Sequence, residues 1–214
     1  MNELKTINRD SVSEIIEKKS KFIGQAYYVE TKLEAEELLK IAKKKYSDAR
    51  HNCYAYSILE NGLLITKSSD DGEPSGTAGM PILNVINENK ITNVLIIVTR
   101  YFGGILLGTG GLVRAYTKAA TEAINKTNII QKELGYKIKF VTDYSKIEQL
   151  KYYLNQNLCN IIEVTYLEKI ELIAEVTEKI KKDVEENKIK KDEMYKNAEI
   201  LERKYIDKKT IWKK

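Results

Sequence analysis

"NVLIIVTRYFGGILLGTGGLVRAY", residues 93–116, places three kinds of backbone end to end. From Val94 to Val98 every side chain is Val, Leu or Ile, which is how a strand reads when both of its faces are covered. Five glycines follow, Gly103, Gly104, Gly108, Gly110 and Gly111, a density that suits a loop and no regular element. Leu112, Ala115, Tyr116, Ala119 and Ala123 then recur at helical spacing and predict the inward stripe of an amphipathic helix. A doubly covered strand leading through a loop into such a helix implies an α/β (α+β) fold, with helices packed on a sheet.

Upstream, "SVSEIIEKKSKFIGQAYYVE" (11–30) is rich in β-branched and aromatic residues and reads as one or two strands, with Gly24 as a bulge or bend. "KLEAEELLKIAKKKY" (32–46) predicts a helix through Leu33, Leu38, Leu39, Ala42 and Tyr46. "NCYAYSIL" and "LLITKSS" flank Glu60, Asn61 and Gly62, and Asn-Gly supplies the positive φ angles of a tight hairpin. "SSDDGEPSGTAGMP" (68–81) contains both prolines of the chain and three of its eleven glycines, so it is an irregular connection, followed by a short helix in "MPILNVINEN".

Near residue 132 the chain starts again. "YKIKFVTD" reads as a strand, "YSKIEQLKYYLNQ" as a helix and "IIEVTYLE" with "KIELIAEV" as two strands. A charged helix from Thr177 to about Lys191 and a final strand near 198–203 complete the order. Strand, helix, strand, strand, helix, strand is the split βαβ order of a ferredoxin-like domain. Two domains are expected, 1–131 and 132–214, with a frayed tail from Asp207.

Composition narrows the function classes. The 214 residues carry a net charge of +5, divided as 17 Lys/Arg against 15 Asp/Glu up to residue 131 and 19 against 16 beyond it, so neither half is a basic domain by charge alone. Nucleic acid is permitted as a partner but not demanded. Cys53 and Cys159 stand far apart without a second Cys or His at ligand spacing, which argues for buried free thiols and against zinc or a disulfide framework. No apolar run approaches the ~18 residues of a membrane helix. The expectation is a cytoplasmic protein with no membrane partner, no metal and no cofactor.

Eight of the eleven glycines fall between Gly72 and Gly111, in two clusters that each precede a predicted helix. A helix start leaves N–H groups unpartnered at the positive end of its dipole, and glycine lets an anion approach them. Gly76 and Gly79 in the first cluster, and Gly103, Gly104, Gly108, Gly110 and Gly111 in the second, are therefore candidate phosphate contacts, with Thr77 and Thr109 as N-caps or further donors. Arg100, Arg114, Lys118, Lys67 and His51 supply cationic or polar groups, and Tyr101 and Phe102 supply rings on which a base could stack. Neither nucleotide motif is met: Thr109 stands where a Walker A loop needs Lys, and Val113 where a dinucleotide fingerprint needs Gly.

Asp70, Asp71 and Glu73 admit a rival reading, a metal-dependent hydrolase of a phosphorylated or nucleotide substrate. They could equally cap the following helix, pair with Arg100 and Lys67, or repel wrong ligands. A Ser75, His51, Asp71 triad lacks the nucleophile elbow and is set aside.

"SDDGEPSGTAG" together with "NVLIIVTRYFGGILLGTGGLVRAY" and "HNCYAY" closely resembles the IMPACT family, called the YigZ family in bacteria, over residues 10 to about 130. The resemblance implies an N-terminal α/β sandwich similar to the second domain of a ribosomal small-subunit protein superfamily, and an appended domain similar to the last domain of elongation factor G. Eukaryotic relatives act in translational control by competing for an activator of an initiation-factor kinase, a partner system that bacteria lack. For bacterial members it implies a nucleic-acid- or ribosome-linked regulator without an established reaction. It points to His51, Arg100, Gly103, Gly104 and the 70–79 stretch. The expectation is a regulatory protein that binds RNA, a ribosomal surface or a protein partner in translational control, not one defined by catalysis. A metal-dependent hydrolase and a protein-interaction module remain the alternatives.

Overall fold

The doubly covered strand β6 (Val94–Tyr101) is the centre of a five-stranded sheet in a computed structural model that describes residues 3–189 and 194–208. The other strands are β2 (Ser11–Glu17), β3 (Ser20–Tyr28), β4 (His51–Glu60) and β5 (Leu63–Ser69), and the order across the sheet is β2-β3-β6-β4-β5, every pair antiparallel. The short strand β1 (Glu3–Ile7) precedes them, and its Lys5 carbonyl accepts from Thr92 N.

Helix α1 (Lys32–Lys45) covers one face of this sheet, burying Ala35, Leu39 and Ala42 against Tyr56, Ile58, Leu95 and Ile97. Its start is closed by a capping box of Thr31 and Glu34. Leu33, expected in the inward stripe, is 64% exposed: at 3.6 residues per turn it projects away from the 35/39/42 row. Helices α2 (Gly79–Glu88) and α3 (Gly108–Asn125) cover the other face, where Ile82, Val85 and Ile86 join the whole predicted α3 stripe over Phe22, Ala26, Ala55, Ile96 and Val98. Alternate residues of β6 thus enter different cores, which is why its sequence carries no polar alternation.

Gly24 is not a bulge. It pairs in regular register with Ser13 and Val98, and a Cβ there would lie 2.4 Å from the carbonyl oxygen of Ala119. Glycine at this point lets α3 sit down on β3. The Asn61-Gly62 turn has φ of +52° and +80°, as the β4–β5 hairpin requires.

Glu3–Ile130 forms one compact unit, and the described residues from Gln131 onward a second. The second contains β7 (Ile129–Thr142, entering from the first unit), α4 (Ile147–Gln156), β8 (Asn160–Tyr166), β9 (Ile170–Thr177), α5 (Glu178–Glu185) and β10 (Asn197–Asp207). Antiparallel pairing in the order β10-β7-β9-β8 gives the ferredoxin-like topology. Its own core joins Ile138, Phe140, Leu150, Leu154, Leu172 and Ala174. The charged helix ends at Glu185, short of the expected Lys191, and the tail from 209 to 214 lies outside the described residues.

Candidate functional site

The residues singled out in the sequence fall into three groups once β4 and β6 are aligned. His51 lies opposite Arg100, and Arg100 opposite Phe22, so all three approach the end of the sheet on the face covered by α3. The 70–79 loop crosses this end and places Glu73 between them. Glu73 Oε1 accepts from Arg100 Nη1 at 2.7 Å and from the Tyr116 hydroxyl at 2.8 Å, and His51 Nε2 stands 4.0 Å away. Glu73, Arg100 and Tyr116 are buried, so this is an ion pair withdrawn from water and locked by a neutral donor.

Around the pair the contacts close further. His51 Nδ1 is 2.9 Å from Asp71 O; a carbonyl only accepts, so Nδ1 carries the proton. The Cys53 thiol faces two acceptors, Asp70 O at 2.9 Å and Tyr116 Oη at 3.3 Å. Burial pushes this thiol up to about 12, the bond to Tyr116 offsets only part of that, and the nearby carboxylates of Glu73, Asp71 and Asp70 add to it, so it is no nucleophile at neutral pH. Burial likewise drives the Tyr116 phenol far up, reinforced by Cys53 and Glu73. The Arg100 guanidinium lies 5.5 Å from the ring centres of both Phe22 and Phe102, and its Nε has no hydrogen-bond partner.

Asp70 occupies the anion position at the start of α2. Its carboxylate accepts from Gly76 N at 2.8 Å, Ala78 N at 2.9 Å and Gly79 N at 2.8 Å. Burial raises its pKa, but the N–H groups of Gly76, Gly79 and Ala78 outweigh that and hold it below the ordinary carboxylate range. The expected Thr77 cap is therefore absent: Thr77 Oγ1 donates to Pro74 O at 2.7 Å, and the α2 start is served by Asp70. The donors of Gly76 and Gly79 are spent internally, and Gly79 is needed because a Cβ would lie 2.6 Å from Ser69 N.

Helix α3 begins differently. Its N-cap is Leu107 with no side-chain capping bond, and Thr109 sits within the first turn instead of capping it. Gly108, Thr109 and Gly110 are exposed and Gly111 half-buried, while Arg114 folds back so that its Nη1 would lie 3.8 Å from a Cβ at Gly110. Arg114 and Lys118 are exposed and have no carboxylate partner among the described residues. Gly103 differs from these: its N–H donates to Ser20 Oγ at 3.2 Å, and Gly104 is exposed with φ +82°.

Two predicted members stand elsewhere. Lys67 pairs with Tyr56 on the α1 face and bonds Tyr54, and Tyr101, one residue from Arg100, turns to that face and donates to Asp48 at 2.8 Å. The three acidic residues do not converge. Asp71 accepts from Asn52 N at 2.7 Å and Lys43 Nζ at 2.6 Å, Asp70 caps α2 and Glu73 holds Arg100; among the described residues no three His, Cys, Asp or Glu side chains are placed to hold a metal ion. Ser20, Cys53 and Tyr116 join the cluster without having been singled out for it. Tyr116 already had a reading as a core-stripe residue, and nothing local marks its hydroxyl as a partner for Glu73, 43 positions away.

Residues 18–124 match the Impact N-terminal domain, a span that contains the whole cluster. YvyE, an IMPACT family member of Bacillus subtilis (strain 168), is 39% identical over 174 residues, 81% of this chain and 80% of that protein. This chain belongs to the IMPACT family. YigZ of Escherichia coli (strain K12), another IMPACT family member, is 32% identical over 150 residues, 70% of this chain and 74% of that protein. A crystal structure described only as that of a hypothetical protein shares the fold at TM-score 0.63 and 26% identity, over 94% of this IMPACT-family chain and 97% of its own. No helix among the described residues is long and apolar enough to cross a membrane.

Proposed function

We propose that this IMPACT-family chain is a translation-linked regulatory protein whose first unit binds RNA, free or on a ribosomal surface, through phosphate contacts at the start of α3. One observation carries the reading: α3 opens on exposed glycines without a side-chain cap, beside Arg114 and Lys118, neither of which is neutralised by a carboxylate among the described residues. The start of α2, which looks equivalent in sequence, is filled by Asp70. Arg100 is committed to Glu73, so it shapes the site and the exposed cations supply the charge. The tie to translation is what the family resemblance implies. The hydrolase alternative finds no support in the geometry, since its three carboxylates serve three different structural partners.

The test is RNA binding as a function of salt. Arg114→Ala/Lys118→Ala is expected to reduce the slope of log K against log salt by roughly 1.4, two contacts at about 0.7 each for a single strand. Binding that ignores both salt and this double substitution would remove the reading. A protein partner is the second reading, favoured by Leu106 at 82% and Ile105 at 41% exposure in the same loop. Under the RNA reading, proteins that co-purify with the chain are lost when the lysate is treated with nuclease.

A further inference from the structure

Phe102 combines exposure with rigidity. The residue is 43% exposed, yet the Arg100 guanidinium lies over its ring at 5.5 Å, and that guanidinium is buried, ion-paired to Glu73 and backed by the Phe22 ring. Phe22 in turn meets Tyr116 edge-on at 5.2 Å, so the stack is rooted in the α3 core. The Ser20 hydroxyl ties Arg100 Nη2 at 3.4 Å and Gly103 N at 3.2 Å. Gly103 lies so close to the Lys19 backbone that a Cβ would stand 2.0 Å from Lys19 C, which clamps the chain just after the ring. Beyond it, Gly104 has nothing within 4 Å of a Cβ position. The cation lies over the ring, and a Cβ added at Gly104, two residues on, would meet open space.

The phenyl group of Phe22 is fully buried in the α3 core, whereas that of Phe102 keeps contact with solvent. One immobilised at the surface over a buried cation presents an aromatic face that a planar ligand meets with little further loss of side-chain freedom. We infer that Phe102 is a stacking platform for a nucleobase, so that the site takes single-stranded and not duplex nucleic acid. Inside a duplex both faces of each base are covered by neighbours, whereas an unpaired base offers a face to an aromatic ring whatever its identity. The inference rests on the phosphate reading above and adds the base to it.

The experiment compares a short labelled RNA strand, the same strand in a duplex, and a ribose-phosphate strand of equal length without bases, by fluorescence anisotropy on the full chain. The single strand is expected to bind about tenfold more tightly than the abasic strand, the order of one aromatic stack. Phe102→Ala removes that difference and leaves abasic binding unchanged, Phe102→Trp keeps it, and Arg114→Ala/Lys118→Ala weakens both strands alike. In a Phe102→Trp/Trp212→Phe chain the sole indole is quenched by the single strand and not by the abasic one. Equal affinity for single, duplex and abasic strands, with the Arg114/Lys118 effect intact, overturns stacking and leaves the phosphate reading standing. No binding of any strand overturns both, and a circular-dichroism melt of each variant excludes misfolding as the cause.

Discussion

Glu73 serves Arg100 and Tyr116 with one carboxylate oxygen, and His51 Nε2 stands 4.0 Å from the same atom. Both members of the ion pair are buried, so removing one leaves the other as an uncompensated charge. Glu73→Ala is expected to cost about 3–5 kcal/mol of stability, and Glu73→Leu/Arg100→Met, which removes both charges, much less than Glu73→Ala alone. Urea unfolding checks this; a single substitution milder than the double one would contradict the buried-pair account. Both residues were legible in the sequence as candidates, because a carboxylate in an irregular loop and an arginine ending a buried strand are unusual in themselves. Their pairing was one of several readings the sequence left open, and the choice was not legible, since the contact spans 27 positions and depends on how β4, β6 and the loop align. The same alignment sends Tyr101 to the opposite face, because neighbouring strand residues alternate.

At the scale of elements, α2 and α3 begin alike in sequence, each after a glycine cluster, and differ in what fills the first turn. Three N–H donors depress the Asp70 pKa, so its stabilising effect is complete above the unfolded carboxylate value of about 3.9 and is lost as pH falls through the lower folded value. Stability of the wild-type chain should therefore fall with acid from about pH 4 downward, and Asp70→Asn should flatten that part of the curve. Urea midpoints across this range measure it; an unchanged acid slope in the variant would show that Asp70 is not the group responsible. A carboxylate six to nine residues before the N–H groups it caps follows no short capping rule, so the sequence alone could offer a carboxylate cap for α2 only as one alternative to an anion site. The α3 stripe, in contrast, was readable but for Ala120 and Ile124, because its members sit within one helix and obey one period.

For the whole molecule, the two units have separate cores, with Cys53 buried in the first and Cys159 in the second. Thiol labelling through a urea gradient, read by mass spectrometry, is expected to give two protection curves with different midpoints, each reporting the unfolding of its own unit. Coincident curves would mean that the units unfold as one. The charges also divide unequally in effect. In the second unit Lys139 lies 3.8 Å from Glu171 and 3.5 Å from Glu199, and Lys204 3.4 Å from Glu175, whereas among the described residues Arg114 and Lys118 in the first have no carboxylate partner. Formal net charge in the two halves of the sequence could not reveal that difference. By itself the sequence determined the order of strands and helices from α1 onward, the hairpin at Asn61-Gly62, most of the core stripe of α3 and the split βαβ order, all of which follow from periodicity and backbone preference over a few residues, while it left β1 unread and β2 and β3 as one or two strands. Only the tertiary structure decided that Asp70 closes α2, that Glu73 neutralises Arg100 and that Lys67 and Tyr101 turn away. Those outcomes depend on the register between distant strands, where a shift of one residue sends a side chain to the opposite face.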